Sequence, residues 1–227
     1  MDERVEATDY FSKSHPLRAW GTRRAVAARA RMFDVFRRTV PFDADTTVID
    51  VGVTPDEELA DSNFFEAHYP YPENVTATSV EDASHLTARY PGLTFVRTDG
   101  DTLPFPDRHF DVAVSWAVLE HVGDRDQQRR FVAELVRVSR RFFLTTPNRW
   151  FPLELHTFLP LVHWLPQPAH QRALRALGKD FWASTGNLDL LSADDLLALF
   201  PSTAEVALTR HRTLGWTSNL LAHGRSL

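Results

Sequence analysis

The chain has 227 residues, of which 43% are hydrophobic and 24% charged, a composition typical of a globular domain large enough to bury a substantial core. It contains no cysteine, which excludes disulfide frameworks and zinc–thiolate sites, and its net charge of -5 argues against a general nucleic-acid binder. Its nine glycines form no GxGxxG, Walker A or GxSxG pattern. Standard diphosphate-binding loops and the nucleophile elbow of α/β-hydrolases are therefore excluded.

The N-terminal segment, MDERVEATDYFSKSH, lacks the apolar stretch of a secretory signal. No apolar run elsewhere reaches the length of a membrane-spanning helix. We therefore expect a cytoplasmic protein without a transmembrane segment.

The first predicted element is a basic helix over residues 16–40. Its apolar positions recur at helical spacing, at Val26, Ala30, Phe33 and Phe36 or Arg37. Between Lys13 and Arg38 there are eight Lys or Arg and one acidic residue, Asp34. These cations form either a solvated helix face or a lid that presents arginine to a phosphorylated, glycan or lipid-linked substrate.

Short apolar runs bounded by turn-forming residues predict seven strands, at 46–53, 74–80, 93–97, 110–116, 142–145, 204–210 and 217–222. Asp124 with Gln127, and Ser192 with Asp195, have the spacing of capping boxes, so a helix is predicted after each. Alternating strands and helices indicate an α/β fold. We expect a Rossmann-like, mainly parallel seven-stranded sheet flanked by helices, in a single domain spanning residues 1–227.

Residues 147–191 interrupt this alternation. The segment holds five prolines and three tryptophans, with too little periodicity for another strand–helix unit. It is therefore predicted to be a cap insertion between strands 5 and 6.

Two blocks of sequence follow predicted strands, where an open α/β sheet binds its ligand. The first is Asp50-Val51-Gly52, and the second is Asp99-Gly100-Asp101 followed by LPFPDRHFDVAVSWAVLEHV at 103–122. Together they resemble the class I S-adenosylmethionine-dependent methyltransferases, in particular the small-molecule type with a degenerate glycine-rich motif. The resemblance runs from about Val48 to Val138, and the TTPN turn at 145–148 continues it more loosely.

The resemblance implies S-adenosylmethionine as cofactor, with S-adenosylhomocysteine as product. It places Gly52 in the cofactor loop, Asp99 at the adenine amino group and Trp116 with Ala117 beneath the reactive methyl. The implied cofactor-binding residues are Asp50, Gly52, Val53, Thr54, Ser79, Glu81, Asp99, Gly100, Asp101, Trp116 and Ala117. The chain departs from the family in two ways: the family's later loop glycines fall on Thr54 and Asp56, and its ribose-binding acid falls on Ser79. Glu81 or Asp82 would replace that acid only if the loop is shifted.

The acceptor side is predicted from TTPNRWFPLELHTFLPLVHWLP at 145–166, which mixes ionisable groups with aromatic residues as a ligand pocket does. The candidate substrate-binding residues are Asn148, Arg149, Trp150, His163 and Trp164. Glu154 or His156 could act as general base, and His121 opens the loop after the fourth strand, so these three are the candidate catalytic residues. The alternative is an aromatic cap whose histidines bind backbone groups. His156 and His163 lack further ligands at helical spacing, so no metal site is expected.

Three functions stay open at this point. The first is methyl transfer to a small-molecule, glycan or lipid-linked acceptor. The second, motivated by Thr54, Asp56 and Ser79, is a catalytically inactive methyltransferase fold that binds a partner. The third is a metal-dependent glycosyltransferase that uses Asp99-x-Asp101, although the same spacing recurs at Asp43/Asp45 and Asp124/Asp126. No specific nucleic-acid partner is expected, and a homodimer is the assembly to test.

Overall fold

Seven strands form one sheet in a computed structural model that describes residues 18–56, 62–98, 100, 102–184 and 186–227, with side chains from residue 25 onward. The strands are β1 Val48–Val51, β2 Val75–Ser79, β3 Thr94–Arg97, β4 Phe110–Trp116, β5 Ser139–Pro147, β6 Ala204–Thr213 and β7 Trp216–Ser226. The helices are α1 Arg18–Thr39, α2 Phe64–His68, α3 Leu86–Arg89, α4 Arg125–Val138, α5 Gln167–Ala176 and α6 Ala193–Leu197.

The strand order is β3-β2-β1-β4-β5-β7-β6. Neighbours from β3 to β5 run parallel, whereas β7 is antiparallel to both β5 and β6. Because the chain moves outward from β1 in one direction and from β4 in the other, the order reverses between these two strands, and their carboxyl ends border the ligand crevice of such sheets. The predicted Rossmann-like sheet is confirmed.

The sheet is covered on both faces. All four residues of β1 are buried, which explains why this strand shows no polar alternation. Val48 packs toward the layer of α1 and α2, and Ile49 packs toward the layer of α4 and α6. The buried face of α1 contains Phe33 and Phe36 as predicted. It also contains Met32, and Ala30 lies on the exposed side of the helix, contrary to the prediction.

Both predicted capping boxes are present. At the start of α4 the side chain of Asp124 accepts hydrogen bonds from the backbone, and that of Gln127 reaches back to the Asp124 amide. At α6 Ser192 and Asp195 exchange the same pair of bonds. Each cap satisfies helix-end amides that otherwise lack partners, which contributes about 1 kcal/mol per helix.

Residues 148–191, called the cap below, leave the sheet after β5 and return before α6. Asn148 and Leu191 are bridged, and the Arg149 amide donates to the Leu191 carbonyl at 2.9 Å, so the cap begins and ends at neighbouring points. It has a small core of its own, formed by Leu174, Trp182, Ala183, Leu188 and Leu190. Among the described residues, no helix is both long and apolar enough to cross a bilayer.

Candidate active site

The loop after β1 depends on a glycine. Gly52 has φ +101°, and a Cβ at this position would lie 2.6 Å from Cγ2 of Val118. The amides of Gly52 and Val53 both donate to the Thr78 carbonyl, at 2.8 and 3.0 Å. The loop after β1 is therefore bound to the end of β2 and packed against the segment after β4, so that three strand ends meet.

Asn63 holds the next part of this loop. Its Oδ1 accepts from the Thr54 amide at 3.1 Å, and its Nδ2 donates to the Thr54 carbonyl at 2.8 Å. Asn63 has φ +50°, a left-handed conformation that asparagine tolerates better than most residues. The clamp fixes the backbone of Thr54 although a family glycine is missing there, and no sequence pattern singled out Asn63.

Two buried carboxyl groups lie beneath the loop. Asp50 and Glu66 are close enough to share a hydrogen bond, and burial together with the neighbouring Glu66 raises the pKa of Asp50 well above its ordinary value. Burial also raises the pKa of Glu66. Oε1 of Glu66 has no hydrogen-bond partner among the described residues. Arg29 of α1 partly offsets the effect on Asp50 because its positive charge lowers that pKa.

The other predicted cofactor residues lie at the same edge of the sheet. Ser79 is buried, and its Oγ accepts from the Glu81 amide at 3.2 Å. Gly100 faces Val80, whose side chain is 54% exposed and offers an apolar surface at the end of β2. Asp99 and Asp101 lie outside the described residues.

Trp116 and Ala117 end β4. The Trp116 ring packs in the core against Phe33, Phe65 and Phe143 rather than lying in the crevice. Ala117 has φ +58°, which turns the chain sharply at the strand end, and its amide donates to the Thr145 carbonyl at 3.0 Å. The two residues therefore shape the crevice from the β4 side through the backbone.

The three predicted catalytic residues are brought together on the acceptor side. Glu154 is almost fully buried, and its carboxylate accepts from the amide and Nδ1 of His156, at 2.9 and 2.6 Å, and from the amide and hydroxyl of Thr157, both at 2.6 Å. Although burial opposes ionisation, His156 and these hydrogen bonds lower the pKa of Glu154 to about 2. Burial lowers the pKa of His156, but the neighbouring carboxylate outweighs it and raises the pKa above its ordinary value.

His121 completes this group together with a residue that sequence reasoning missed. The rings of His121 and His156 are 4.8 Å apart and perpendicular, and burial lowers the pKa of His121 to about 4. Glu120 is fully buried, accepts from the Thr146 hydroxyl at 3.0 Å, and has its pKa raised by burial. The positive charge of Arg29 also acts to lower the pKa of Glu120 and of His156.

The five predicted substrate-binding residues divide into two groups. The side-chain Nδ2 of Asn148 donates to the Thr217 carbonyl at 2.9 Å, and Nε2 of His163 bonds the Phe151 carbonyl at 2.7 Å. Both side chains therefore hold the cap in shape, as the alternative interpretation expects for histidine. Arg149 lies over the Trp150 ring at 5.6 Å, and Trp150 packs against Trp164 at 6.1 Å. Trp150 is 49% exposed and is the open part of this aromatic surface.

These residues fit S-adenosylmethionine. Buried carboxyl oxygens at Asp50 and Glu66, one of them without a described partner, suit the cationic amino group of its methionine part. The exposed Val80 beside Gly100 suits the flat face of adenine. Gly52 lets the loop pack directly against Val118 at the strand ends. Because S-adenosylmethionine carries no diphosphate, the loop needs one close backbone approach to the ligand rather than a glycine-rich phosphate cradle.

Comparison with known proteins agrees with the fold. Residues 63–141 match the family model described as methyltransferase domain. A probable S-adenosylmethionine-dependent methyltransferase of Mycolicibacterium smegmatis is 38% identical over 96 residues, which are 41% of this chain and 34% of that protein. The phthiotriol/phenolphthiotriol dimycocerosates methyltransferase of Mycobacterium tuberculosis is 33% identical over 111 residues, or 47% of this chain and 38% of that protein. The chain thus matches only about a third of the length of these curated relatives.

A solved structure shows the same fold. The N-methyltransferase NodS of Bradyrhizobium japonicum in complex with S-adenosyl-L-homocysteine superimposes with a TM-score of 0.54 at 15% identity, covering 91% of this chain and 97% of that one. Neither the inactive partner protein nor the glycosyltransferase gains support from these matches. The sheet order, the matched domain and the relatives agree with the resemblance seen in the sequence, which is to the class I S-adenosylmethionine-dependent methyltransferases.

Proposed function

We propose that this chain transfers the methyl group of S-adenosylmethionine to a hydroxyl group of an acceptor with a large apolar part, bound beneath the cap. One observation carries the acceptor side of this proposal. Two buried glutamates and two half-buried histidines lie together below an aromatic cap, at the same edge of the sheet as the Gly52 loop. Buried ionisable groups are costly, so such a cluster at a ligand-binding edge favours a functional role.

On the cofactor side we assign binding to the strand ends. Asp50 and Glu66 would receive the amino group, and the Gly52–Thr54 loop, held by Asn63, would contact the methionine part. Ser79 and Glu81 would line the ribose position, with Val80 and Gly100 beside the adenine. When bound, the cofactor supplies an electrophilic methyl group on a sulfonium centre.

On the acceptor side we assign catalysis to His121, Glu154 and His156. Glu154 fixes the His156 ring through Nδ1 at 2.6 Å, and the Asn187 carbonyl fixes the His121 ring in the same way at 2.8 Å. Rings held this firmly can hydrogen-bond an acceptor hydroxyl in one orientation. The His121 imidazole, whose pKa burial lowers to about 4, would accept the proton that the hydroxyl loses as its oxygen takes the methyl group. Most of the rate enhancement would then come from holding the oxygen in line with the methyl group, since orientation alone supplies several kcal/mol.

The class of acceptor follows from the surface of the cap. Trp150, Leu161 and Leu165 are 49, 48 and 42% exposed. The Trp150 ring packs on Trp164, whose amide donates to the Leu161 carbonyl. The neighbouring Arg149 donates from its guanidinium to the Leu165 carbonyl. An apolar surface of this kind at a ligand site suits an acceptor with a large apolar part, such as a lipid-linked one. The relative named for phthiotriol and phenolphthiotriol dimycocerosates supports this choice.

Binding of S-adenosylhomocysteine to the purified protein, measured by calorimetry, tests the cofactor half. We expect binding by the wild type and weaker binding by Gly52→Ala. Gly178→Ala is the matched control, because Gly178 also has a positive φ but nothing lies within 4 Å of its added Cβ. No binding by the wild type at millimolar ligand would overturn the proposal.

Release of S-adenosylhomocysteine in the presence of a panel of phenols and long-chain alcohols tests the acceptor half. His156→Gln should lower kcat strongly while leaving the affinity for S-adenosylhomocysteine unchanged. His170→Gln is the control, since His170 is a buried histidine of α5 outside the cluster. Equal effects of the two variants on kcat would contradict the assignment of His156.

A further inference from the structure

We propose that Glu120, His121 and His156 form a binding site for one divalent transition-metal ion. Each of the three residues offers one ligand atom, and these atoms all lie within 4.8 Å of one another. Glu120 and His121 come from the turn after β4, whereas His156 comes from the cap. The proposal goes beyond methyl transfer and can be tested without it.

The two histidine rings are oriented as metal ligands are. Nδ1 of His121 lies 2.8 Å from the Asn187 carbonyl, and Nδ1 of His156 lies 2.6 Å from Oε1 of Glu154. A histidine that binds a metal commonly donates its other ring N–H to a carbonyl or a carboxylate, which fixes the tautomer and the ring orientation. Both kinds of partner occur here, so Nε2 is the nitrogen that each ring would direct at an ion.

Glu120 provides a second, independent observation. The residue is 0% exposed, and although its Oε2 accepts from Thr146, its Oε1 has no hydrogen-bond partner among the described residues. That oxygen lies 4.0 Å from Nε2 of His121, so it faces the histidine pair. A buried carboxylate oxygen without a partner is costly, and a cation bound between the three residues would remove this cost.

The donor set selects the kind of ion. Two imidazole nitrogens and one carboxylate oxygen suit Zn²⁺, Co²⁺, Fe²⁺ or Mn²⁺, whereas Mg²⁺ and Ca²⁺ prefer oxygen ligands alone. Three protein ligands leave at least one position open, the arrangement of catalytic rather than structural sites. An oxygen acceptor could occupy that position, and the ion would then orient it in place of the two Nε2 atoms. The positive charge of Arg29 acts on Glu120 and His156 and so opposes the binding of a cation there. The negative charge of Glu154 beside His156 offsets this repulsion.

The test uses protein treated with a chelator and then titrated with Co²⁺ or Zn²⁺. We expect one equivalent to bind in calorimetry, with visible absorption bands of coordinated Co²⁺. His156→Ala and Glu120→Gln should abolish both signals, and Glu154→Gln, which removes only the support of the His156 ring, should weaken binding by about 10- to 100-fold. His170→Ala, a buried histidine outside the cluster, should bind as the wild type does.

S-adenosylhomocysteine affinity and circular dichroism of each variant show that it is folded. The inference is overturned if the wild type takes up no ion, or if His156→Ala binds cobalt as tightly as the wild type. Because the affinity for S-adenosylhomocysteine is measured on the metal-free protein, a failure of metal binding is distinguishable from a failure of the proposed methyl transfer.

Discussion

Replacing Gly52 by alanine should destabilise the protein by an amount that depends on Val118. Gly52 has φ +101°, where an L-residue with a side chain loses about 1–2 kcal/mol. The added Cβ would also lie 2.6 and 2.7 Å from the two γ-carbons of Val118. Overlap with a stiff β-branched side chain costs a further 1–3 kcal/mol or so. Gly52→Ala should therefore lower the free energy of unfolding by about 2–5 kcal/mol.

A double-mutant cycle separates the two contributions. In a Val118→Ala background the overlap disappears, so Gly52→Ala should cost only the backbone part, about 1–2 kcal/mol. Urea denaturation of the wild type, both single variants and the double variant gives the coupling energy, expected to be about 1–3 kcal/mol. A coupling energy near zero would refute the inferred contact between the two loops, and a cost below about 1 kcal/mol in both backgrounds would refute the backbone requirement.

Three further predictions concern buried polar groups. Asn63→Ala should lower the free energy of unfolding, measured by urea denaturation, by about 1–2 kcal/mol more than Asn63→Gly does. Both variants lose the hydrogen bonds to Thr54, but only glycine adopts φ +50° freely. Equal losses in the two variants would contradict this. The pKa values of Asp50 and Glu66 are raised in the folded protein, so the free energy of unfolding should fall as pH rises above the ordinary carboxyl range. Glu66→Gln should make this fall shallower in thermal melts measured across pH. If the variant shows the same dependence on pH as the wild type, the two carboxyl groups do not interact as inferred. Glu154→Gln should lower the free energy of unfolding by about 3–5 kcal/mol at neutral pH. The difference from the wild type should shrink as pH falls toward the Glu154 pKa of about 2, because the wild-type carboxylate then becomes protonated. A difference that stays constant down to pH values near 2 would contradict this pKa.

The sequence predicts the fold well wherever local chemistry decides the structure. β4 begins and ends at the predicted residues, Phe110 and Trp116, because a turn precedes a short run that is mostly apolar. Both capping boxes are visible as residue pairs three apart. β5 starts three residues before the prediction, because its register is set by pairing with β4 and β7 rather than by its arginines.

The site is only partly predictable from the sequence. His121, Glu154 and His156 are recognisable as ionisable residues among aromatic ones. Glu120 is not recognisable in this way, because a glutamate on a short turn is usually exposed to solvent. Its burial next to Thr146 depends on the fold. The contribution of Arg29 to the site also depends on how α1 packs over strand ends distant in sequence.

The two ends of the cap meet at one place on the sheet, where Asn148 is bridged to Leu191 and held by the backbone of β7. A segment with adjoining ends can be lengthened, shortened or exchanged without altering the register of the strands beneath it. With the acceptor bound beneath the cap as proposed, acceptor preference in this architecture can diverge independently of cofactor binding. A chimera that carries another enzyme's cap between Pro147 and Ser192, with counterparts of Glu154 and His156, should keep its affinity for the methyl donor while changing what it methylates.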